Sequence, residues 1–119
     1  MKTILLVEDE KSLCDIIFDD LTEAGYEVLT AYTGKEYYEH MKETTPDLII
    51  LDIKLPDASG LKLLEDVRKK SVNLPIVICT AFDSFKTEYE IWAAKISEYI
   101  VKPVDLDDLR VKIKKILGE

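Results

Sequence analysis

Four apolar runs in this chain lead directly into residues capable of ionic chemistry. Thr3-Ile4-Leu5-Leu6-Val7 leads into Glu8-Asp9-Glu10, and Leu48-Ile49-Ile50-Leu51 into Asp52. The run from Pro75 leads into Cys79-Thr80-Ala81, and Glu98–Val101 into Lys102-Pro103. A carboxylate at the end of a core strand is expensive to bury, so Asp52 needs a compensating partner. Neighbouring carboxylates repel one another unless a cation holds them. Oxygen-only ligands with open positions suit Mg²⁺, which keeps several waters and often shares its sphere with a phosphate. A lysine adds a second positive charge, and a threonine hydroxyl can donate to an oxyanion. Together these groups fit phosphoryl transfer, in which protein groups mainly position and neutralise charge. Asp52 is the best-placed nucleophile, because aspartyl phosphates are established carboxylate chemistry.

The elements that must bring these residues together follow from the apolar pattern. Thr3–Val7, 27–30, 48–52, 75–79 and Glu98–Val101 are short and mostly rich in Ile, Leu and Val, as buried strands are. Helix-period segments lie between them. Leu13, Ile16, Ile17, Leu21 and Ala24 share helical spacing, and Gly25 stops that helix. Thr33-Gly34-Lys35-Glu36 has capping-box form and opens the second helix. The third is predicted from Gly60 to about Lys70 and the fourth from Ser84 to about Ala94. Leu106, Leu109, Ile113, Ile116 and Leu117 stripe the last, with aspartates at its start and lysines near its end. Strict β–α alternation implies an α/β fold with a parallel sheet covered by helices on both faces. In such sheets ligands bind beyond the carboxyl ends of the strands, where the strand order reverses. All four chemical stretches lie at that edge.

The 119 residues make one domain, 1–119, with 47% apolar and 34% charged residues, so a soluble globular chain is expected. No apolar run approaches a membrane span and no signal-peptide pattern precedes the first strand, which makes the cytoplasm the expected location. A net charge of −8 argues against direct contact with nucleic-acid phosphates. Cys14 and Cys79 lie in apolar patterns away from any metal-binding spacing and read as free, buried thiols.

With these motifs in order, "LLVEDE" (5–10), "PDLIILDIKLPDASG" (46–60), "VICTAFD" (77–83) and "EYIVKPVDLDDL" (98–109), the chain resembles a receiver domain of a two-component response regulator, related to the chemotaxis-type single-domain regulators. The resemblance runs essentially end to end. It implies a flavodoxin-like, doubly wound, five-stranded sheet of order 2-1-3-4-5 with five helices. It implies that Asp52 accepts a phosphoryl group from the phosphohistidine of a sensor histidine kinase. Mg²⁺ would be held by Asp9, by Glu8 through water, by Asp52 and by the backbone carbonyl of Lys54. Thr80 and Lys102 would each meet a phosphoryl oxygen, the peptide before Pro103 would be cis, and Tyr99 would be the switch aromatic. Phosphorylation would draw Thr80 inward, let Tyr99 rotate in, and reshape the face made by the fourth helix, fifth strand and fifth helix. Such a chain is a signalling phosphoacceptor rather than an enzyme, assisting only its own phosphorylation and dephosphorylation.

Several positions depart from the family pattern. Lys95 stands where a glycine commonly ends the fourth helix, which predicts either strain or a different helix end. Val104 stands where Phe is common, a change of packing rather than chemistry. Lys54 and Phe82 occupy positions that tune phosphoryl lifetime; a bulky Phe82 and a lysine lid predict a moderately to long-lived phosphoryl state. His40, Tyr37 and Tyr38 read as surface or structural residues, and part of the set Phe82, Phe85, Tyr89 and Trp92 as a docking patch. A phosphatase with an aspartate nucleophile would need Asp-x-Asp, but the sequence is Asp52-Ile53-Lys54. A flavin site would need a phosphate-cradling loop, but Glu8-Asp9-Glu10 repels phosphate without a metal. A phosphorelay intermediate and a docking-only pseudo-receiver remain alternatives. The chain stops after its last helix, which fits a stand-alone regulator or a receiver cut from a longer one.

Overall fold

The computed structural model describes residues 1–82 and 89–119. Ten elements alternate: β1 (Thr3–Val7), α1 (Lys11–Glu23), β2 (Glu27–Ala31), α2 (Gly34–Glu43), β3 (Leu48–Leu51), α3 (Gly60–Lys70), β4 (Ile76–Thr80), α4 (Tyr89–Ala93), β5 (Glu98–Val101) and α5 (Leu106–Ile116). The strands form one parallel sheet of order β2-β1-β3-β4-β5. Every residue of β3 and β4 is buried, as a central parallel strand requires. The predicted start of the fourth helix at Ser84, and Phe85, lie outside the described residues.

Alternation along the strands divides the core in two. Leu5, Val7, Ile49, Leu51, Ile76 and Ile78 pack with Tyr37 of α2, Leu63, Leu64 and Val67 of α3 and Ile91 of α4. Ile4, Leu6, Leu48, Ile50, Val77 and Cys79 face the other way, onto Cys14, Ile17 and Leu21 of α1 and Leu109 and Ile113 of α5. The α1 stripe differs from the predicted one. Ile16 is 51% exposed, while Cys14 is buried in its place. Cys14 lies three residues before Ile17 and seven before Leu21, which puts it on the sheet-facing line. Both cysteines are free and buried.

The helix ends account for most of the local sequence. Thr33 caps α2 by accepting from the Glu36 backbone N–H, and Asp105 caps α5 by accepting from that of Asp108. Gly25, with φ +103°, turns the chain from α1 into β2. Lys95 also lies in the left-handed region, at φ 59°, so the usual helix end is kept without the usual residue. The carbonyls of Ala94 and Lys95 accept from the Arg68 guanidinium at 2.5 and 3.3 Å, and the Ser71 carbonyl at 3.0 Å. One α3 side chain therefore holds the carbonyl end of α4 and that of its own helix.

Candidate functional site

The strand order reverses between β2-β1 and β1-β3, so a crevice opens at the carboxyl ends of β1 and β3. Backbone bonds across the sheet set the depth of each residue there. The Glu8 N–H donates to the Ala31 carbonyl at 2.9 Å, that of Asp52 to Val7 at 3.1 Å, and that of Lys102 to Thr80 at 2.8 Å. Glu8 and Asp52 are only 2% and 4% exposed, Thr80 is fully buried, and Asp9 is exposed. Ligand oxygens of Glu8, Asp9 and Asp52 lie within 4.8 Å of one another. Asp52 is the first residue past β3, not its last, which places its carboxylate at the mouth of the crevice.

Lys102 compensates this charge. Its Nζ lies 2.9 Å from Asp52 Oδ2 and 2.8 Å from Glu8 Oε1. Asp52 Oδ1 also accepts from the Lys54 backbone N–H at 3.1 Å, and Glu8 Oε2 from that of Glu10 at 3.1 Å. Among the described residues no buried polar side-chain atom lacks a partner. Burial pushes the Glu8 carboxyl above its usual range, against hydrogen bonds from Lys102 and Glu10 that pull it down. Burial alone would lower the Lys102 ammonium, but hydrogen bonds to Asp52 and Glu8 outweigh it and hold its pKa above the usual lysine value. Three carboxylates and one ammonium carry two net formal negative charges, the complement of a divalent cation. Hard oxygen donors at this spacing fit Mg²⁺.

The loop after Asp52 is tightly drawn. Lys54 and Ser59 form an antiparallel bridge, and the Gly60 N–H donates to the Ile53 carbonyl at 2.6 Å. A Cβ on Gly60 would stand 2.1 Å from the Asp52 carbonyl oxygen, so only glycine fits beneath the acidic residues. The Lys54 side chain is exposed, as is Phe82 at 39%. Thr80 Oγ1 accepts a long bond, 3.4 Å, from the Phe82 N–H.

Other residues singled out from sequence sit as follows. The Lys102–Pro103 peptide is cis. Val104 packs at the edge of the α1–α5 side of the core. Tyr99, the expected switch aromatic, is buried, and its hydroxyl donates to the Phe82 carbonyl at 2.5 Å. His40 was expected on the solvated surface. It is half-buried, with Nε2 2.9 Å from the Thr30 carbonyl of β2. Tyr37 is buried, whereas Tyr38 reaches out to hydrogen-bond the Asp66 carboxylate. Trp92 is 43% exposed. Sequence reasoning passed over Asp57 and Arg68. Both bind backbone groups distant in sequence, a role no local pattern encodes.

A family model described as the response regulator receiver domain matches residues 4–114. The transcriptional regulatory protein ZraR of Salmonella typhimurium is 33% identical over 97% of this chain. CrdR of Helicobacter pylori is 31% identical over 99% of it. The chain spans 26% of ZraR and 56% of CrdR. Among solved structures, the response regulator TrrA of Thermotoga maritima in complex with Mg(2+)-BeF aligns with TM-score 0.88 and 37% identity, covering 98% of this chain and 99% of that one. TrrA in complex with the histidine kinase ThkA aligns with TM-score 0.86 and 38% identity over the same shares of the two chains. Among the described residues no helix is long and apolar enough to cross a membrane.

Proposed function

Since the chain belongs to the response regulator receiver domain family, we propose that it is a Mg²⁺-dependent phosphoacceptor that takes a phosphoryl group onto Asp52 from the phosphohistidine of a sensor histidine kinase. The observation that carries this reading is Asp52 itself. It is a buried carboxylate at the mouth of the crevice, with two further carboxylates within 4.8 Å and an ammonium at 2.9 Å. A carboxylate oxygen of Asp52 forms the new P–O bond as the P–N bond to the imidazole breaks, and the bonding pair leaves with the imidazole nitrogen.

Glu8, Asp9, Asp52 and the Lys54 carbonyl would hold Mg²⁺, which when bound supplies charge neutralisation for the phosphoryl oxygens. Lys102 already stands against Asp52 and would pair with a phosphoryl oxygen without a large movement. The Thr80 hydroxyl donates to another. Tyr99 lies inward, the arrangement phosphorylation would favour in a population shift. Thr80 and the α4–β5–α5 face carry the change to a partner. Phe82 and Lys54 flank the phosphoryl position and slow the entry of water. The kinase complex of TrrA supports a histidine kinase as donor. Longer relatives such as ZraR support an output domain on another part of a polypeptide. The chain is a phosphoacceptor and not a turnover enzyme.

The test is to incubate the protein with Mg²⁺ and acetyl phosphate and weigh it. One added phosphoryl group, absent in Asp52→Asn and without Mg²⁺, is expected. No adduct with either acetyl phosphate or a phosphorylated kinase would leave a docking-only module.

A further inference from the structure

The β3–α3 loop, which presents Lys54 to the acidic residues, is fastened on its outer side to a different element. Asp57 Oδ1 accepts from the Gly34 N–H at 2.7 Å, and Oδ2 from the Lys35 N–H at 3.1 Å. Both donors belong to the first turn of α2 and have no partner within their own helix. Thr33 takes the Glu36 N–H, so Thr33 and Asp57 together satisfy the N–H groups of Gly34, Lys35 and Glu36. Gly34 marks how close the two elements come. A Cβ there would stand 2.8 Å from the Ala58 Cβ and 3.3 Å from Asp57 Oδ1. The bond to Gly34 is the main reason the Asp57 carboxyl lies below its ordinary range, and the positive helix end favours the charged form.

The inner side of the same loop has little freedom of its own. The Lys54–Ser59 bridge and the Gly60–Ile53 bond close it over eight residues from Ile53 to Gly60. Asp57 lies within that closed turn, so the turn carrying Lys54 is anchored as one piece to the first turn of α2. Asp57 is exposed and reaches none of the acidic residues itself.

We infer that Asp57 is a positioning residue for the metal site: by bonding the first turn of α2 it fixes the β3–α3 loop, and with it the direction of the Lys54 carbonyl. This rests on the reading of the site as a Mg²⁺-dependent phosphoacceptor. Outer partners that orient metal ligands typically change metal affinity by about 10–100-fold when removed, and Asp57 acts one step further out, so the lower end applies.

The experiment uses the whole chain as wild type, Asp57→Ala and Asp57→Asn. Mg²⁺ affinity is measured by calorimetry, and phosphorylation by acetyl phosphate is followed across Mg²⁺ concentrations. Asp57→Ala is expected to weaken Mg²⁺ binding by about tenfold while the rate at saturating Mg²⁺ stays within about twofold. Asp57→Asn keeps one acceptor oxygen and should fall between the two. Gly34 and Lys35 amide NMR shifts report whether the tether is lost and the fold retained. Unchanged affinity in both variants with those amides shifted would overturn the assignment. A loss of saturating rate at unchanged affinity would overturn it too. Absence of Mg²⁺ binding in wild type would overturn the phosphoacceptor reading and this inference together, an outcome distinct from a failure confined to the variants.

Discussion

Replacing Lys95 with glycine should stabilise this protein, and the size of the gain can be worked from the backbone. Lys95 sits at φ 59°, where an L-residue's Cβ crowds its own carbonyl at a cost of about 1–2 kcal/mol. Its side chain is exposed, and its bonds here are backbone bonds: N–H to the Trp92 carbonyl at 2.9 Å, carbonyl to Arg68. Glycine keeps both. Against the relief stands the extra freedom glycine gives the unfolded chain, about 0.5–1 kcal/mol. The net gain is about 0.5–1 kcal/mol. At about 2.1 cal/mol/K per residue, the unfolding entropy of 119 residues is about 0.25 kcal/mol/K, so Tm should rise by about 2–4 °C. Thermal denaturation followed by circular dichroism measures this directly. Lys95→Ala keeps the Cβ and should give no comparable rise. A Tm for Lys95→Gly equal to or below wild type would refute the claim that strain resides at this helix end.

Gly60→Ala places a methyl against the backbone of Asp52 and Ile53, not against a flexible side chain; a destabilisation of about 1–3 kcal/mol is expected in urea unfolding, with slower phosphorylation by acetyl phosphate. Arg68→Ala leaves carbonyls of Ala94, Lys95 and Ser71 without their donor, and a loss of about 1–2 kcal/mol should appear in the same assay. Burial pushes the Cys79 thiol up to about 12 and that of Cys14 up to about 11. Neither should react with a disulfide reagent at pH 8 until the chain is unfolded. Because both folded values are raised, the unfolded chain ionises first, so stability should fall as pH climbs above about 9, the ordinary thiol value in the unfolded chain; a flat stability from pH 8 to 10 would contradict this.

Much of the architecture was legible because it is written locally. Apolar runs of four or five residues can be strands buried on two faces, and the helices between them force the strands parallel. Strand ends shifted by a residue at β2, β3 and β4, which moved Asp52 from the strand into the crevice mouth. Glu8, Asp9, Asp52, Thr80 and Lys102 could be anticipated as neighbours, since one topological rule sends every strand end to the same edge. Ile16 misled because helical spacing alone does not say which of two adjacent lines faces the sheet. His40, Asp57 and Arg68 were illegible for a shared reason. Each satisfies a backbone group 10 to 27 residues away, and such bonds depend on the finished fold, leaving no periodicity behind. The Tyr99 hydroxyl bond to the Phe82 carbonyl likewise depends on the finished fold.

The Arg68 clasp has a mechanical consequence. It grips the carbonyl end of α4 at Ala94 and Lys95. A displacement of this end of α4 must therefore carry Arg68, and with it the last turn of α3, or break the bonds to the Ala94 and Lys95 carbonyls.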